Sequence, residues 1–486
     1  TIPDAPWRTT APAVVPPATT PPVLIRGARL LIGDGTVIEK GHLLMRNSRI
    51  VSVGEGAGEA PDKATIIDAT GKTLTPGLID THSHLGVYPT PHVKAHADGN
   101  EMTSPTTPDV RAIDGFWTQD PGIHRAIAGG VTTIQVLPGS GNLIGGRAVT
   151  LRLGPATRTQ DMKMVGAPSG LKMACGENPK RIYGSRKIKP MSRMGNLSVQ
   201  RSTFLQAKRL IAQWDAWRAK ERQRQTKHAR SKVDYQAKNI YRTEVRALCR
   251  DKRLPRFRCA QWEKSFAAQP LTKPPPLTPE LPPARDIGLE TLAGAIEGHI
   301  LVHIHCYRSD DMANMMALAD EMGFAIRSFH HGLEAYKIRR VLAERKISVS
   351  TWADWWGFKM EAYDGIPQNL ALISNAGARA IVHSDSREGI RRLNQEAAKG
   401  MFSGRRMGLD IEEAEAIRWI TENPAWALGI DERVGTLTKG KDADVVLWSG
   451  NPFSVYTKAE QVFINGKKAY DASHPGPSWS DFEAAP

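Results

Sequence analysis

Short apolar runs alternate with amphipathic, helix-like segments through the middle of the chain. Runs such as 301–306 and 378–385 have the length and the β-branched content of buried strands. Helix-like segments, among them 310–322 and 334–345, separate these runs. Repeated strand–helix units predict a parallel sheet, and their number favours an α/β fold of the (β/α)8 TIM-barrel type over residues 76–431. A doubly wound open sheet is the alternative.

Both flanks of this region are rich in β-type runs. Such runs, separated by Gly-containing turns, occupy residues 23–75 and return over 432–475. The second flank contains Asn465-Gly466, a dipeptide that is typical of a tight hairpin. Because neither flank can bury a sheet face alone, we expect both to pair in one small domain built from the two ends of the chain.

The outermost residues lack these patterns. Residues 1–22 contain seven Pro and five Thr and begin without Met, which is typical of an extended tail left after removal of a leader or tag. Residues 476–486 are a second predicted tail. A removed leader predicts a periplasmic or secreted protein, with a cytoplasmic protein as the alternative. No run approaches the roughly 20 apolar residues that a membrane-spanning helix needs.

One strongly basic segment interrupts the strand–helix alternation. The chain has a formal net charge of +15, and residues 201–260 alone hold 18 basic and 5 acidic side chains. We interpret residues 199–286 as an insertion in the barrel: a helix or helical pair with Leu210, Trp214 and Trp217 as an inward stripe, then a Pro-rich return linker. A solvated helical arm is the simplest interpretation, and a surface for an anionic partner is the alternative. Nucleic acid is disfavoured because no folded nucleic-acid module is visible.

The four cysteines exclude some classes of site. Cys175, Cys249, Cys259 and Cys306 form no C-x-x-C pair, so zinc-finger and thioredoxin-like interpretations fail on spacing. Cys249 and Cys259 are near enough in sequence to close a short disulfide loop in an oxidising compartment. Two free thiols are the alternative for this pair.

The strongest chemical signal is the run PGLIDTHSHLG at 76–86. His82 and His84 are two residues apart, so in a strand both side chains lie on one face. At the end of a strand their imidazoles can converge on one metal ion. The run follows the first β-rich flank, where the first barrel strand is expected to begin.

Further ligand-type residues recur at the ends of later predicted strands. They are His303 and His305, His330 and His331, and His383 and Asp385. Catalytic groups in barrels gather at the carboxyl ends of the strands, where residues far apart in sequence meet. Together with the pair His82 and His84, they make four strand ends in order, which predict a metal site.

These motifs, together with the C-terminal run GTLTKGKDADVVLW, resemble the amidohydrolase superfamily. The resemblance is greatest to its imidazolonepropionase-like and metal-dependent prolidase-like branch, and it covers about residues 23–198 and 287–472. It implies a distorted (β/α)8 barrel and a composite β-sandwich made from both termini. It also implies one or two divalent metal ions, usually zinc.

The resemblance assigns roles to single residues. It places metal ligands at the ends of the first, fifth, sixth and eighth strands, at His82, His84, His305, His331 and Asp385. It leaves His303, His330 and His383 behind the ligands or in the core. For the fourth strand, Lys172 would need to be carboxylated, because a lysine ammonium does not bind metal, and would then bridge two ions. Glu177 offers a carboxylate directly, and the sequence favours it slightly.

By resemblance, we expect metal-assisted hydrolysis of a C–N bond in a small cyclic amide, an N-acyl amino acid or a related compound. Asp385 would move a proton from water to the leaving nitrogen as general acid and base. Arg308 is a candidate to bind a substrate carboxylate, with Arg181 and Tyr183 as weaker candidates. A prolidase-like dipeptidase is the alternative within this class. An interaction protein that uses the basic segment on an inactive barrel is the alternative of another class, and a homo-oligomer is compatible with either.

Overall fold

The computed structural model describes residues 2–8 and 19–474, which contain sixteen strands and twelve α-helices. The strands are β1 Val23–Leu31, β2 Val37–Arg46, β3 Arg49–Glu55, β4 Thr65–Asp68, β5 Thr73–Pro76, β6 Leu78–Ser83, β7 Val131–Val136, β8 Ile144–Arg152, β9 Ser169–Ala174, β10 Ile300–Cys306, β11 Ile326–His331, β12 Ser348–Thr351, β13 Ala380–Val382, β14 Val445–Trp448, β15 Ala459–Ile464 and β16 Lys467–Asp471. The helices are α1 Pro121–Ala128, α2 Thr159–Met162, α3 Glu177–Ser185, α4 Arg193–Arg250, α5 Arg256–Ala268, α6 Ile287–Ile296, α7 Ser309–Met322, α8 Arg339–Glu344, α9 Asn369–Asn375, α10 Leu393–Arg406, α11 Glu413–Arg418 and α12 Glu422–Leu428.

The described residues divide into two compact units. One contains residues 2–8 and 208–286, and the other contains residues 19–207 and 287–474. The predicted tail 476–486 lies outside the described residues, as do residues 1 and 9–18 of the tail predicted at the start.

The larger unit contains an eight-stranded, barrel-like sheet in which β6 to β13 are neighbours in chain order. After β13, the backbone N–H of Asp385 donates to the carbonyl of His82 at 3.0 Å, which brings the last strand back to the first. The strands are lined by fully buried apolar side chains such as Ile134, Leu171 and Phe329. This arrangement places the carboxyl ends of β6 and β9 to β13 on one face.

The barrel departs from the simple strand–helix repeat at β8, which runs antiparallel to both β7 and β9. Only residues 137–143 connect β7 to β8. A parallel connection needs a crossover of a dozen or more residues, so this short loop can close only an antiparallel hairpin. The alternation of strands and helices is therefore broken at this strand, and the barrel is distorted there.

Strands from both ends of the chain pair in a second eight-stranded sheet. Its order is β16-β15-β14-β5-β1-β2-β3, with β4 paired to β1, and β14 joins the two ends by antiparallel pairing with β5. Gly77 alone separates this sheet from β6, and a Cβ there would lie 2.2 Å from Oγ1 of Thr132, so only glycine fits. A two-layered sandwich arrangement of this sheet stays a prediction.

The smaller unit is built from α5 and most of α4. The two helices pack antiparallel: Arg246 pairs with Glu263 at 3.0 Å, and Cys249 is disulfide-bonded to Cys259. The Pro-rich residues 269–286 have neither helix nor strand. Near the start of the chain, the ring of Trp7 packs edge-on against Trp214, with 6.0 Å between the ring centroids, in place of an extended tail. Among the described residues, no helix combines the length and the apolar composition needed to cross a membrane.

Candidate metal centre

The predicted pair of histidines on β6 opens onto the face where the strand ends meet. His82 is fully buried, and its Nε2 lies 3.3 Å from Nε2 of His84. The Nδ1 of His84 lies 3.0 Å from the carbonyl oxygen of Leu137. Because a carbonyl only accepts, that Nδ1 carries a proton, and the ring is oriented with Nε2 towards the centre.

Two overlapping groups of ligand-type side chains surround His82. His82, His84 and Asp385 offer ligand atoms that all lie within 4.8 Å of one another, and His82, His331 and His383 form a second such group. His331 and Asp385 both have left-handed backbone, with φ of 73° and 45°. Such conformations are strained for these residue types, and here they turn both side chains into the centre at the point where each strand ends.

The charge state of these groups suits a divalent cation. Burial lowers the pKa of His82 and His331 well below the ordinary value and lowers the pKa of His383 to about 3, so the rings are neutral at pH 7. Burial opposes ionisation of Asp385, but the hydrogen bond with His84 and nearby positive charge outweigh it and lower the pKa of that carboxyl. Neutral imidazoles with one carboxylate are a donor set typical of zinc.

Unpartnered nitrogen atoms support the same interpretation. Both ring nitrogens of His383 and Nδ1 of His331 are buried and have no partner of good hydrogen-bond geometry among the described residues. Buried polar atoms are rarely left without a partner, and each neutral ring has one nitrogen lone pair, so these nitrogens fit a site built around a bound group. His383, which was expected behind the ligands or in the core, lies in the second of the two ligand groups.

At the fourth strand the structure favours Lys172 over Glu177. Lys172 is fully buried in β9, with Nζ 3.5 Å from Nε2 of His82, and burial lowers its pKa to about 7. A substantial fraction of the amine is then neutral near pH 7, as carboxylation requires. Glu177 begins α3, and its carboxylate lies 3.1 Å from Nζ of Lys359, outside both ligand groups. The sequence preference for Glu177 is not supported.

His305 lies beside the two groups and belongs to neither. Its ring centroid is 4.3 Å from that of His331, and the ring is almost fully buried at the end of β10. Its Nδ1 lies 2.8 Å from Oγ of Ser140, and the amide of Asn178 donates to its Nε2 at 3.3 Å.

Asp80, which the sequence analysis missed, ties the first strand to the segment after the last. Its Oδ1 accepts hydrogen bonds from the backbone N–H groups of His82 at 3.0 Å and Ser384 at 3.1 Å. The residue is fully buried, and burial raises the pKa of its carboxyl to about 7. It therefore fixes the spacing between the β6 ligands and Asp385.

A line of buried histidines runs inward from the centre. Nδ1 of His82 lies 2.8 Å from Nδ1 of His330, and Nε2 of His330 lies 2.9 Å from Nδ1 of His303. The i, i+2 spacing of His303 and His305 could have signalled that both face the barrel interior. His330 gave no such signal, because the left-handed backbone at His331 breaks the alternation of faces.

The three predicted substrate-binding residues lie elsewhere. The guanidinium of Arg308 makes a two-pronged pair with Asp310, at 2.9 and 2.8 Å. The buried hydroxyl of Tyr183 lies 2.6 Å from the carbonyl oxygen of Ser104, and burial raises its pKa to about 12. Arg181 is exposed on α3. The structure brings none of the three to the ligand groups.

Aromatic rings form one wall of the centre instead. The rings of Tyr307, His331, Trp352 and Trp355 stack in series, with centroid separations of 5.1, 4.7 and 4.9 Å and interplanar angles of 14–15°. Trp352 is held by a hydrogen bond from its Nε1 to the carbonyl of Ser384 at 2.9 Å. The wall is therefore flat and apolar next to the ligands.

A second disulfide, Cys175–Cys306, joins the ends of β9 and β10. These two strands carry Lys172 and His305, and both cysteines are buried. The pair is 131 residues apart in sequence, so its proximity depends on strand pairing that the spacing of cysteines does not reveal.

Comparisons with known proteins agree with this geometry. A family model described as the amidohydrolase family matches residues 295–469. Amidohydrolase tasK of Hapsidospora irregularis is 31% identical over 480 residues, which is 93% of this chain, and the chain spans 43% of the length of that relative. The dihydroorotase of Caldicellulosiruptor saccharolyticus is 29% identical over 127 residues, which is 26% of this chain and 24% of that protein.

One solved structure matches over its whole length. It is an amidohydrolase from Thermotoga maritima MSB8, 31% identical to this chain, with a TM-score of 0.71. The match covers 92% of this chain and 100% of the other. Full coverage at this identity, the matching family model and the histidine and aspartate groups lead to one conclusion: the chain belongs to the amidohydrolase family.

Proposed function

We propose that this chain hydrolyses the C–N bond of a small cyclic amide, an N-acyl amino acid or a related compound with the help of two zinc ions. The observation that carries the proposal is the group of His82, His84 and Asp385, whose ligand atoms lie within 4.8 Å of one another. The near-complete set of donors argues against an inactive scaffold that acts only through its basic segment.

The residues divide between two positions for the metal. His82, His84 and Asp385 would hold one ion, and His305, His331 and a carboxylated Lys172 would hold the other. When bound, such ions polarise a carbonyl group and lower the pKa of a water molecule to roughly 7. Asp385 would accept the proton of that water on its carboxylate and deliver it to the leaving nitrogen. Its lowered pKa supports this role, because the carboxylate is ionised at neutral pH before the reaction starts.

The aromatic wall supports a substrate with a flat or aromatic group next to the scissile amide. The stack that ends at Trp355 offers ring faces, and Trp355 is itself 39% exposed. Ring faces of this kind favour planar groups by stacking. A prolidase-like dipeptidase has weaker support, because the pairing of Arg308 with Asp310 already uses its two-pronged donor face. The imidazolonepropionase-like branch is proposed on the sequence motifs alone.

Metal analysis of two matched variants tests the site. Lys172→Met should reduce the metal content from about two zinc ions per chain to about one, because a proposed ligand of the second ion is lost. Glu177→Gln is the control and should leave the content unchanged, since Glu177 pairs with Lys359. Loss of metal in the Glu177 variant, with full content in the Lys172 variant, would reverse the assignment at the fourth strand.

A substrate panel tests the reaction. Cyclic amides, N-acyl amino acids and proline-containing dipeptides would be offered to the zinc-loaded chain and to Asp385→Asn. Turnover of an amide by the first protein only supports the proposal. No turnover of any amide by a chain that holds its full metal content would contradict it. Export from the cytoplasm and self-association remain separate predictions, which fractionation and sedimentation would test.

A further inference from the structure

The helical hairpin of α4 and α5 ends in a fixed turn. The Cys249–Cys259 disulfide joins the two helices across the turn, with 5.8 Å between their Cα atoms. Further from the turn, the ring of Tyr241 packs edge-on against Trp262, with 5.6 Å between the centroids. We call residues 250–258 the hairpin tip. Its conformation is held from both helices, so its side chains project from a rigid base.

The hairpin tip carries unpaired positive charge. Its cationic side chains are exposed, and they are Arg250, Lys252, Arg253, Arg256 and Arg258. Its single acid, Asp251, lies 3.5 Å from Arg250. No carboxylate within the described ranges forms an ion pair with the other four. Further from the tip, Arg246 is paired with Glu263 across the two helices.

An aromatic side chain lies in the middle of these charges. Phe257 is 70% exposed and stands between Arg256 and Arg258 in the sequence. A large apolar side chain in water gains no burial in this structure, whereas in the headgroup region of a lipid bilayer it would be covered. Cationic side chains around an exposed aromatic residue are typical of surfaces that dock on anionic lipids.

We propose that the hairpin tip docks on an anionic lipid surface, with Phe257 inserted among the headgroups and the four unpaired cations on lipid phosphates. Two observations favour lipid over nucleic acid. The disulfide that holds the tip is stable in oxidising compartments, where membranes are present and nucleic acid is scarce. The tip also offers one exposed aromatic ring, whereas proteins that bind single strands present several rings for successive bases. This inference does not depend on the proposed hydrolysis.

Charge reversal at the tip distinguishes docking by the tip from attraction through the net charge of the whole chain. A Lys or Arg near an anionic bilayer strengthens association by a factor of about 5, so four of them contribute several hundred-fold. The tip variant is Lys252→Glu, Arg253→Glu, Arg256→Glu and Arg258→Glu. The control variant makes the same charge change at exposed positions along α4: Arg222→Glu, Lys227→Glu, Arg230→Glu and Lys232→Glu.

The full chain would be sedimented with vesicles of phosphatidylcholine and phosphatidylglycerol, and with phosphatidylcholine alone. We expect binding only to the mixed vesicles, a loss of more than about 100-fold in the tip variant, and a much smaller loss in the control variant. Equal losses in the two variants, or equal binding to both vesicle types, would overturn the proposal. So would tight binding to a DNA duplex by a chain that ignores the vesicles. Circular dichroism shows that each variant is folded, and the intact mass of the chain shows that the Cys249–Cys259 disulfide is formed.

A second variant reports insertion directly. Phe257→Trp places a fluorophore at the tip, and Phe257→Ser removes the apolar group. When mixed vesicles are added, the fluorescence emission of the tryptophan variant should shift to shorter wavelength by more than the emission of the unchanged protein does. Brominated lipid should quench this emission. The serine variant should bind several-fold more weakly. An unshifted spectrum in a protein that sediments with the vesicles would show adsorption without insertion and refute the role of Phe257.

Discussion

The line of histidines behind the centre gives the sharpest prediction. A metal ligand binds through a lone pair, so Nε2 of His82 is unprotonated and the proton of the neutral ring is on Nδ1. That Nδ1–H donates to Nδ1 of His330, at 2.8 Å, and Nε2–H of His330 donates to Nδ1 of His303, at 2.9 Å. His330 is thus a positioning residue, because it sets both the tautomer and the ring plane of His82.

Replacing His330 by Phe keeps a ring of similar size and removes both hydrogen bonds. All three histidines are fully buried, so the nitrogens left on His82 and His303 cannot turn to water. Each unsatisfied buried group costs about 1–3 kcal/mol, so we expect the free energy of unfolding to fall by about 2–6 kcal/mol. Loss of such a supporting partner lowers metal affinity by about 10- to 100-fold.

The assay is a zinc titration of metal-free protein against a competing chelator, with urea unfolding measured on the same samples. His299→Phe is the matched control, because His299 is partly exposed and immediately precedes β10, at the end opposite the ligands. It should change neither quantity appreciably. Zinc affinity within about twofold of the unchanged protein would refute the positioning role. A fall in stability alone would leave His330 as a packing residue only.

Three further predictions concern other parts of the larger unit. Asp385→Asn should lower turnover by about 10²- to 10⁴-fold in steady-state kinetics while elemental analysis still finds zinc. Arg152→Met should lower the free energy of unfolding in urea by about 3–5 kcal/mol, because Arg152 pairs with buried Asp442 at 2.6 Å and with buried Asp444 at 3.1 Å. Burial acts to raise the pKa of Asp442, but Arg152, Arg433 and Arg49 together lower it, so this stabilisation should be lost as the pH falls below about 4. The variant keeps Arg433 and Arg49 and should therefore show a weaker acid dependence. Trp355→Ala should raise the KM of aromatic amides by about 2- to 10-fold and leave the KM of aliphatic amides unchanged. Tyr363 is exposed in the same loop, so Tyr363→Ala is the control and should change neither KM.

The sequence predicted the location of the centre because strand order and strand ends are local properties. Alternation of side chains along β6 puts His82 and His84, two residues apart, on the same face. Parallel pairing brings the ends of distant strands together. Both rules need only the hydrophobic pattern. They do not cover the reversal of β8, which follows from a different property of the sequence, a connection too short for a crossover.

The choice between the two ligand candidates at the fourth strand could not be predicted from these rules. Lys172 and Glu177 differ in their surroundings: one is fully buried beside His82, and the other has a lysine partner at 3.1 Å. Burial of a lysine lowers its pKa, and that shift is what makes its amine available for carboxylation. Sequence spacing contains no information about burial of a single side chain, so the direct carboxylate looked the better ligand.

The same burial explains why the centre needs its supporting contacts. Fully buried imidazoles are neutral and cannot be held by ion pairs, so hydrogen bonds must fix their orientation. For His82 these are the contact with His330 and the backbone bond to Asp80, and for Asp385 it is the backbone bond to the carbonyl of His82. The left-handed backbone at His331 and Asp385 is strained, and strain of this kind persists only where the surrounding structure holds it. The ligand geometry is therefore set by the closure of β13 onto β6, and a change that weakens this closure should reduce metal affinity without touching a ligand.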